Sequence, residues 1–182
     1  MDDASILTGI RNGDVAAFEA IFRAYHPRLC SFALRYVNDP HIAQDVVQDL
    51  FLNLWQKRRR LEVRTSLRAY LFAALRNRLL NKSASLKVEQ KWFQQGELEG
   101  LAIADAAPLS DTLLATGDTT TIVRAAVDSL PPGCRAVVRL RFEEDMSYAE
   151  IADALGIAPK TVENHLARAR KLLRDRLPDV FT

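Results

Sequence analysis

Ser147-Tyr148-Ala149-Glu150-Ile151-Ala152-Asp153-Ala154-Leu155-Gly156-Ile157-Ala158-Pro159-Lys160-Thr161-Val162-Glu163-Asn164-His165-Leu166-Ala167-Arg168-Ala169-Arg170 reads as two helices about a tight turn. Ser147 with Glu150 three residues on is a capping-box pattern, which opens the first helix. Gly156 suits the left-handed position that ends it, and Pro159 suits the first position of the next. Ile151 and Leu155, with Ile157, Val162 and Leu166, can fill a shared core, and small Ala152 sits where the second helix must cross closely. With that inner stripe fixed, Lys160, Thr161, Asn164, Arg168 and Lys171 point outward. This is a helix-turn-helix pattern, with a second helix able to read base edges early and grip phosphates later. Lys160 and Asn164 can donate to groove acceptors, and Arg168, Arg170, Lys171 and Arg174 suit phosphates. The pattern alone also fits a plain helical hairpin with a charged outer face, and it does not separate an activator, a repressor and an initiation factor.

Working toward the N-terminus, Leu130-Pro131-Pro132 breaks a helix carrying Ile122, Ala126 and Val127, and a further helix runs through Val137, Val138, Leu140 and Phe142. Residues 93–118 change character. Gly96, Gly100, Pro108 and Gly117 fall there and every charge is acidic. A stretch of this length is too long for a connection inside one small domain and reads as a flexible linker.

The N-terminal half is helical by the same logic. Asp14 is a plausible cap for a helix whose stripe is Phe18, Phe22, Tyr25, Leu29, Phe32 and Tyr36, with Pro27 expected to kink or break it. Asn38-Asp39-Pro40 stops and restarts the chain. A second helix is expected over about 41–58, burying Ile42, Val46 or Val47, Leu50 and Leu54. Off that stripe lie Asp45, Gln48, Asp49, Phe51, Leu52 and Trp55. A third starts near Thr65 or Ser66, with Leu67, Leu71, Ala74, Leu75 and Leu79 inside and Arg68, Arg76, Arg78 and Lys82 around the rest. The expected fold is all-α: two small helical domains, 1–92 and 121–182, joined by an acidic linker, 93–120.

Net charge is only +2, yet it is unevenly placed. Residues 53–91 carry eleven basic and two acidic groups, whereas residues 92–123 carry five acidic and no basic ones. The basic block is the footprint expected of a polyanion-binding surface, or more blandly of a solvated helix face. No run of about 18 apolar residues predicts a membrane span, and Met1-Asp2-Asp3 does not open a secretory leader. Cys30 and Cys134 are expected to be reduced thiols of a cytosolic protein, and His26, His41 and His165 have no metal-ligand spacing. No nucleophile motif or Gly-rich phosphate loop points to an enzyme, and no cofactor is implied.

The segments Leu130–Pro132, Ser147–Ala152 and Lys160–Arg170 resemble promoter-reading region 4 of sigma-70-family factors, most of all the extracytoplasmic-function (ECF) group. Independently, Asp45-Val46-Val47-Gln48-Asp49-Leu50-Phe51-Leu52-Asn53-Leu54-Trp55 resembles the region 2 segment that binds core RNA polymerase. Tyr70-Leu71-Phe72-Ala73-Ala74-Leu75-Arg76-Asn77 resembles its melting and −10-reading helix. The resemblance covers roughly 14–90 and 121–177.

It implies a sigma factor in the cytoplasm, with core polymerase (β′ clamp helices and β flap), promoter DNA and an anti-sigma factor, often at the membrane, as partners. Asp45, Gln48, Asp49, Phe51 and Trp55 would dock on the clamp helices, although Phe51 and Trp55 also fit the domain's own core. Lys57, Arg58, Arg59, Arg60, Arg64, Arg68, Arg76, Asn77, Arg78 and Lys82 would meet the −10 element, where unstacked bases need cations and pockets. Tyr70 and Phe72 suit either role, and Phe72 is expected in the core. The loop between Arg59 and Ser66 resembles the segment that holds a flipped base. Lys160, Thr161, Asn164, Arg168, Arg170, Lys171 and Arg174 would meet the −35 element. The linker's carboxylates would mimic nucleic acid near the RNA path or simply keep a tether solvated. Without the extra domains of housekeeping sigmas, promoter opening should be stringent. The rival reading is a free-standing helix-turn-helix regulator that binds operators as a dimer; it leaves the Asp45–Trp55 pattern and the basic block unused.

Overall fold

The computed structural model describes residues 3–37, 39–86 and 119–177, with the side chains of residues 35, 82–86 and 119 outside that description. Residues 93–118 of the expected linker lie outside the described residues, and residues 119 and 120 already belong to a helix. Every α-helix or strand assigned among the described residues is a helix. The described residues form two compact units, an N-terminal one over 3–86 and a C-terminal one over 119–152 and 157–177.

In the first unit, α1 spans Asp3–Arg11, α2 Val15–Val37, α3 Pro40–Gln56 and α4 Leu67–Leu86, with one 3-10 turn at Arg58–Arg60. Each start has a local cause. Asp14 Oδ1 accepts from the amides of Ala16 and Ala17 at 2.8 and 3.2 Å. Asp39 Oδ1 accepts from His41 and Ile42 at 2.8 and 3.3 Å, with Pro40 at the first helical position. Ser66 Oγ accepts from Ala69 at 3.1 Å, which selects Ser66 over Thr65 as the cap of α4.

Helices α2, α3 and α4 pack pairwise, and α1 lies on α2 and the 3-10 turn. Leu29, Phe32, Val47, Leu50, Leu54, Leu71, Phe72 and Leu75 fill the core, each worth roughly 1.5–3 kcal/mol of burial. The aromatic stripe of α2 bridges both partners. Phe22 meets Phe51 of α3 at 4.9 Å between centroids, and Phe32 meets Phe72 of α4 edge-on at 5.1 Å.

Of the kink or break expected at Pro27, the break does not occur, and one helix is added. Helix α2 runs through Pro27 without a break. Pro27 sits on the exposed face, where water can take the Arg23 carbonyl left without an amide partner. Helix α1 was not foreseen. It is nine residues long, and Ile10 is its one fully buried side chain.

In the second unit, α5 spans Thr119–Asp128, α6 Pro132–Phe142, α7 Tyr148–Leu155 and α8 Pro159–Arg176. Helix α8 packs on α6 and α5, and α5 on α6. Ala126, Leu130, Val137, Leu140, Met146, Ile151, Val162 and Ala169 form the core. Both bonds of the expected capping box are present: Ser147 N donates to Glu150 Oε2 at 2.8 Å, and Glu150 N donates to Ser147 Oγ at 3.3 Å. Gly156 has φ 63°, the left-handed region that a side chain would strain.

Candidate nucleic-acid interface

On α3 the buried residues Ala43, Val46, Val47, Leu50, Phe51 and Leu54 fix one face. Asp45, Gln48 and Asp49 fall on the opposite face and are exposed. Leu52, 60% exposed, stands among them. The edge is thus two carboxylates, an amide and one apolar side chain, a composition suited to a protein partner.

Of the two aromatic residues expected on that edge, Phe51 is placed elsewhere, and Trp55, one turn after Leu52, is partly covered. Phe51 is only 2% exposed and packs against Phe18 and Phe22, so it belongs to the unit's own core. At 3.6 residues per turn it lies too near the Leu50–Leu54 stripe to reach the outer face. Trp55 is half-buried, 4.9 Å from Phe18 between ring centroids. Leu52 is an apolar side chain that the edge presents in full, and sequence reasoning left it off the site although it placed it off the buried stripe.

The basic block continues from this edge. Arg58 is not a free cation. Its guanidinium sits 4.5 Å from the Trp55 ring centroid and donates to the Trp55 carbonyl at 2.8 Å, so it locks the end of α3. Lys57, Arg59, Arg60 and Arg64 are exposed, as is Asn77 on α4. Arg68, Arg76 and Arg78 are half-buried. Lys82 is in α4, but its side chain lies outside the described residues.

Between the C-terminal end of α3 and the middle of α4 is a cleft of about 450 Å³, lined among others by Asn53, Lys57, Tyr70, Asn77, Arg78 and Asn81. Three amides, a phenol and two cations converge there, suited to base edges and phosphate. Burial pushes the Tyr70 phenol up, with Arg78 opposing. Phe72, 1% exposed, is core as expected.

The loop from Arg59 to Ser66 is pinned at both ends. Leu61 is buried, and its carbonyl accepts from Arg11 Nη2 at 2.7 Å. At the far end the Leu67 amide donates to Asp3 Oδ2 at 3.2 Å. Both side chains come from α1.

In the second unit, Val162, Leu166 and Ala169 are the buried face of α8. Lys160, Asn164, Arg168, Arg170, Lys171 and Arg174 are exposed, and Thr161 is half-buried at the margin. Lys160 Nζ donates to Glu163 Oε2 at 2.7 Å. That bond raises the Lys160 pKa.

Other arginines hold the unit together. Arg135 donates to the Asp128 carbonyl at 2.6 Å, Arg141 to the Met146 carbonyl at 2.8 Å, and Arg139 pairs with Asp128. His165 packs over the α6 backbone: a β-carbon at Gly133 would meet its Cε1 at 2.8 Å, and Cys134 Sγ lies 3.7 Å from Nδ1. Both cysteines are free thiols, raised by burial. Among the described residues no group of three or more His, Cys, Asp or Glu could hold a metal, and no helix is long and apolar enough to cross a membrane.

The family model "Sigma-70 region 2" matches residues 21–87, and "Sigma-70, region 4" matches residues 120–173. The chain belongs to the sigma-70 family.

Within that family its relatives place it in the ECF group. It is 28% identical over 178 residues to the ECF RNA polymerase sigma factor SigL of Mycobacterium tuberculosis, covering 96% of each chain. It is 29% identical over 167 residues to the RNA polymerase sigma-E factor of Streptomyces coelicolor, covering 91% of this chain and 88% of that one. The fold is shared with the sigma factor RpoE of Bartonella quintana, solved with the anti-sigma factor NepR. That match has TM-score 0.60 and 24% identity, and covers 91% of this chain and 99% of that one.

Proposed function

We propose a division of labour for this sigma factor, which binds core RNA polymerase and directs promoter recognition and initiation. The Asp45–Gln48–Asp49–Leu52 edge of α3 docks on the polymerase, with the β′ clamp helices as its seat. Lys57, Arg59, Arg60, Arg64, Asn77, Arg78 and the cleft beside them hold the −10 strand as it opens. Cations fix the backbone, and the cleft's amides and phenol receive an unstacked base. The exposed face of α8 reads the −35 element, with Lys160 and Asn164 toward base edges and Arg168, Arg170, Lys171 and Arg174 toward phosphates. The β flap is the second polymerase contact.

One observation carries this reading. A single helical unit holds an exposed acidic edge, a basic pinned loop and a polar cleft, besides the helix-turn-helix of the other unit. A free-standing operator-binding dimer has no use for the first three. The bond-making of initiation stays with the polymerase, and the chain acts where the polymerase is, in the cytoplasm. An anti-sigma factor that covers the α3 edge would hold the chain off the polymerase, and membrane tethering of that partner would couple release to an external signal.

Charge reversal at Asp49 tests the assignment. Asp49→Arg should weaken binding to core polymerase while leaving the −35 preference of whatever holoenzyme forms unchanged. Equal affinity of variant and parent for core polymerase removes the α3 edge from the interface.

A further inference from the structure

Along the exposed face of α8, Glu163 is the sole carboxylate between Pro159 and Arg174. It stands beside Asn164 and one turn before Ala167 and Arg168, in the part of a recognition helix that reaches base edges. A carboxylate there faces two rows of phosphates and is repelled by them unless it finds a donor. Its own helix supplies one. Lys160 Nζ donates to Oε2 at 2.7 Å, and the Glu163 side chain is still 49% exposed. The pair is nearly neutral, so the carboxylate can approach DNA.

Major-groove base edges offer a carboxylate only two amino groups. Adenine sets its amino group beside the N7 acceptor, which opposes a carboxylate. Cytosine presents its amino group alone. We propose that Glu163, braced by Lys160, is a specificity-determining residue that accepts a hydrogen bond from the N4 amino group of one cytosine in the −35 element. Lys160 is then both a brace and a donor to a neighbouring guanine. This inference rests on the promoter-reading role of α8.

The test uses holoenzymes of core polymerase with the full chain, on promoters randomised across the −35 element. Parent, Glu163→Gln and Glu163→Ala are compared by sequencing the transcribed templates. The exposed position and the good helix propensity of Gln and Ala keep the fold intact. The parent should favour cytosine at one position by about tenfold. Glu163→Gln should exchange that preference for adenine, which Gln pairs through N6 and N7, and Glu163→Ala should flatten that position alone. Identical preferences at every position in all three proteins, even with a uniform rise in affinity, would reduce Glu163 to a brace for Lys160 and overturn the proposal. A parent with no −35 preference at all would instead overturn the promoter-reading role, and this inference with it.

Discussion

Arg11 donates from its guanidinium to the backbone carbonyl of Leu61, fifty residues further along, at 2.7 Å. With Asp3, which accepts from the Leu67 amide, it makes α1 a clamp across the two ends of the loop that follows α3. A loop that must receive an unstacked base gains from fixed ends, because less ordering is left for the moment of binding. Arg11→Ala should cost about 1–2 kcal/mol of stability, the scale of a part-buried charged hydrogen bond. Its larger effect should be on promoter opening. Permanganate reactivity of the −10 thymines should fall several-fold while affinity for core polymerase stays unchanged. Unaltered opening would make α1 a purely structural addition.

Phe51 and Leu52 are neighbours with opposite burial, one in the core and one exposed. Phe51→Ala should destabilise the first unit by about 3–5 kcal/mol, as large-to-small changes in a packed core do. Leu52→Ala should stay within about 0.5 kcal/mol in stability, yet cost about 1–2 kcal/mol in affinity for core polymerase. Thermal melts and a binding titration on the same preparations separate the two. A Leu52→Ala variant that binds core polymerase like the parent would leave the α3 edge without its apolar contact.

On the proposed reading, the helix-turn-helix separates base reading from phosphate grip. Asn164→Ala should relax preference at one −35 position, losing about 1–3 kcal/mol of discrimination. Arg170→Ala or Lys171→Ala should weaken all sequences alike and lower the salt slope by about one. Competition binding over a salt series tells these apart. A uniform loss from Asn164→Ala would move the reading register along α8.

His165 gives the second unit a pH dependence. Burial and Arg168 hold its pKa below the ordinary histidine value. Its neutral form is therefore favoured on folding, and the unfolded chain binds the proton more readily. Stability from this group is present above about pH 6.5, the ordinary value, and is lost as pH falls toward the folded one. The parent should lose melting temperature on acidification across that range faster than His165→Gln does. Parallel curves would mean that the ring takes its proton without cost to the packing against Gly133.

Much of this was legible in the sequence because local chemistry set it. Asp14, Asp39 and Ser66 cap helices through their own side chains, Ser147 and Glu150 cap each other, and Gly156 takes the left-handed turn. Periodicity sorted Asp45, Gln48 and Asp49 outward and Val162 and Leu166 inward. What escaped depended on tertiary packing. Phe51 lies at the margin of the buried stripe of α3, and only Phe18 and Phe22 of α2 draw it into the core. Arg58 reads as one of four adjacent cations until Trp55 is found beneath it. Helix α1 is too short to show a period, and its partners at Leu61 and Leu67 are 50 and 64 residues away. Glu163 was legible as a residue but not as a contact, since its pairing with Lys160 is a choice among exposed rotamers.

Run-off transcription from a genomic promoter library, with core RNA polymerase in the presence and absence of the chain, tests the sigma-factor role most directly. Discrete transcripts that share one −35 and −10 pattern, and that vanish when the chain is left out, are the predicted result. No specific transcript from any promoter, together with tight binding of palindromic DNA by the chain alone, would contradict it and install the operator-binding regulator in its place.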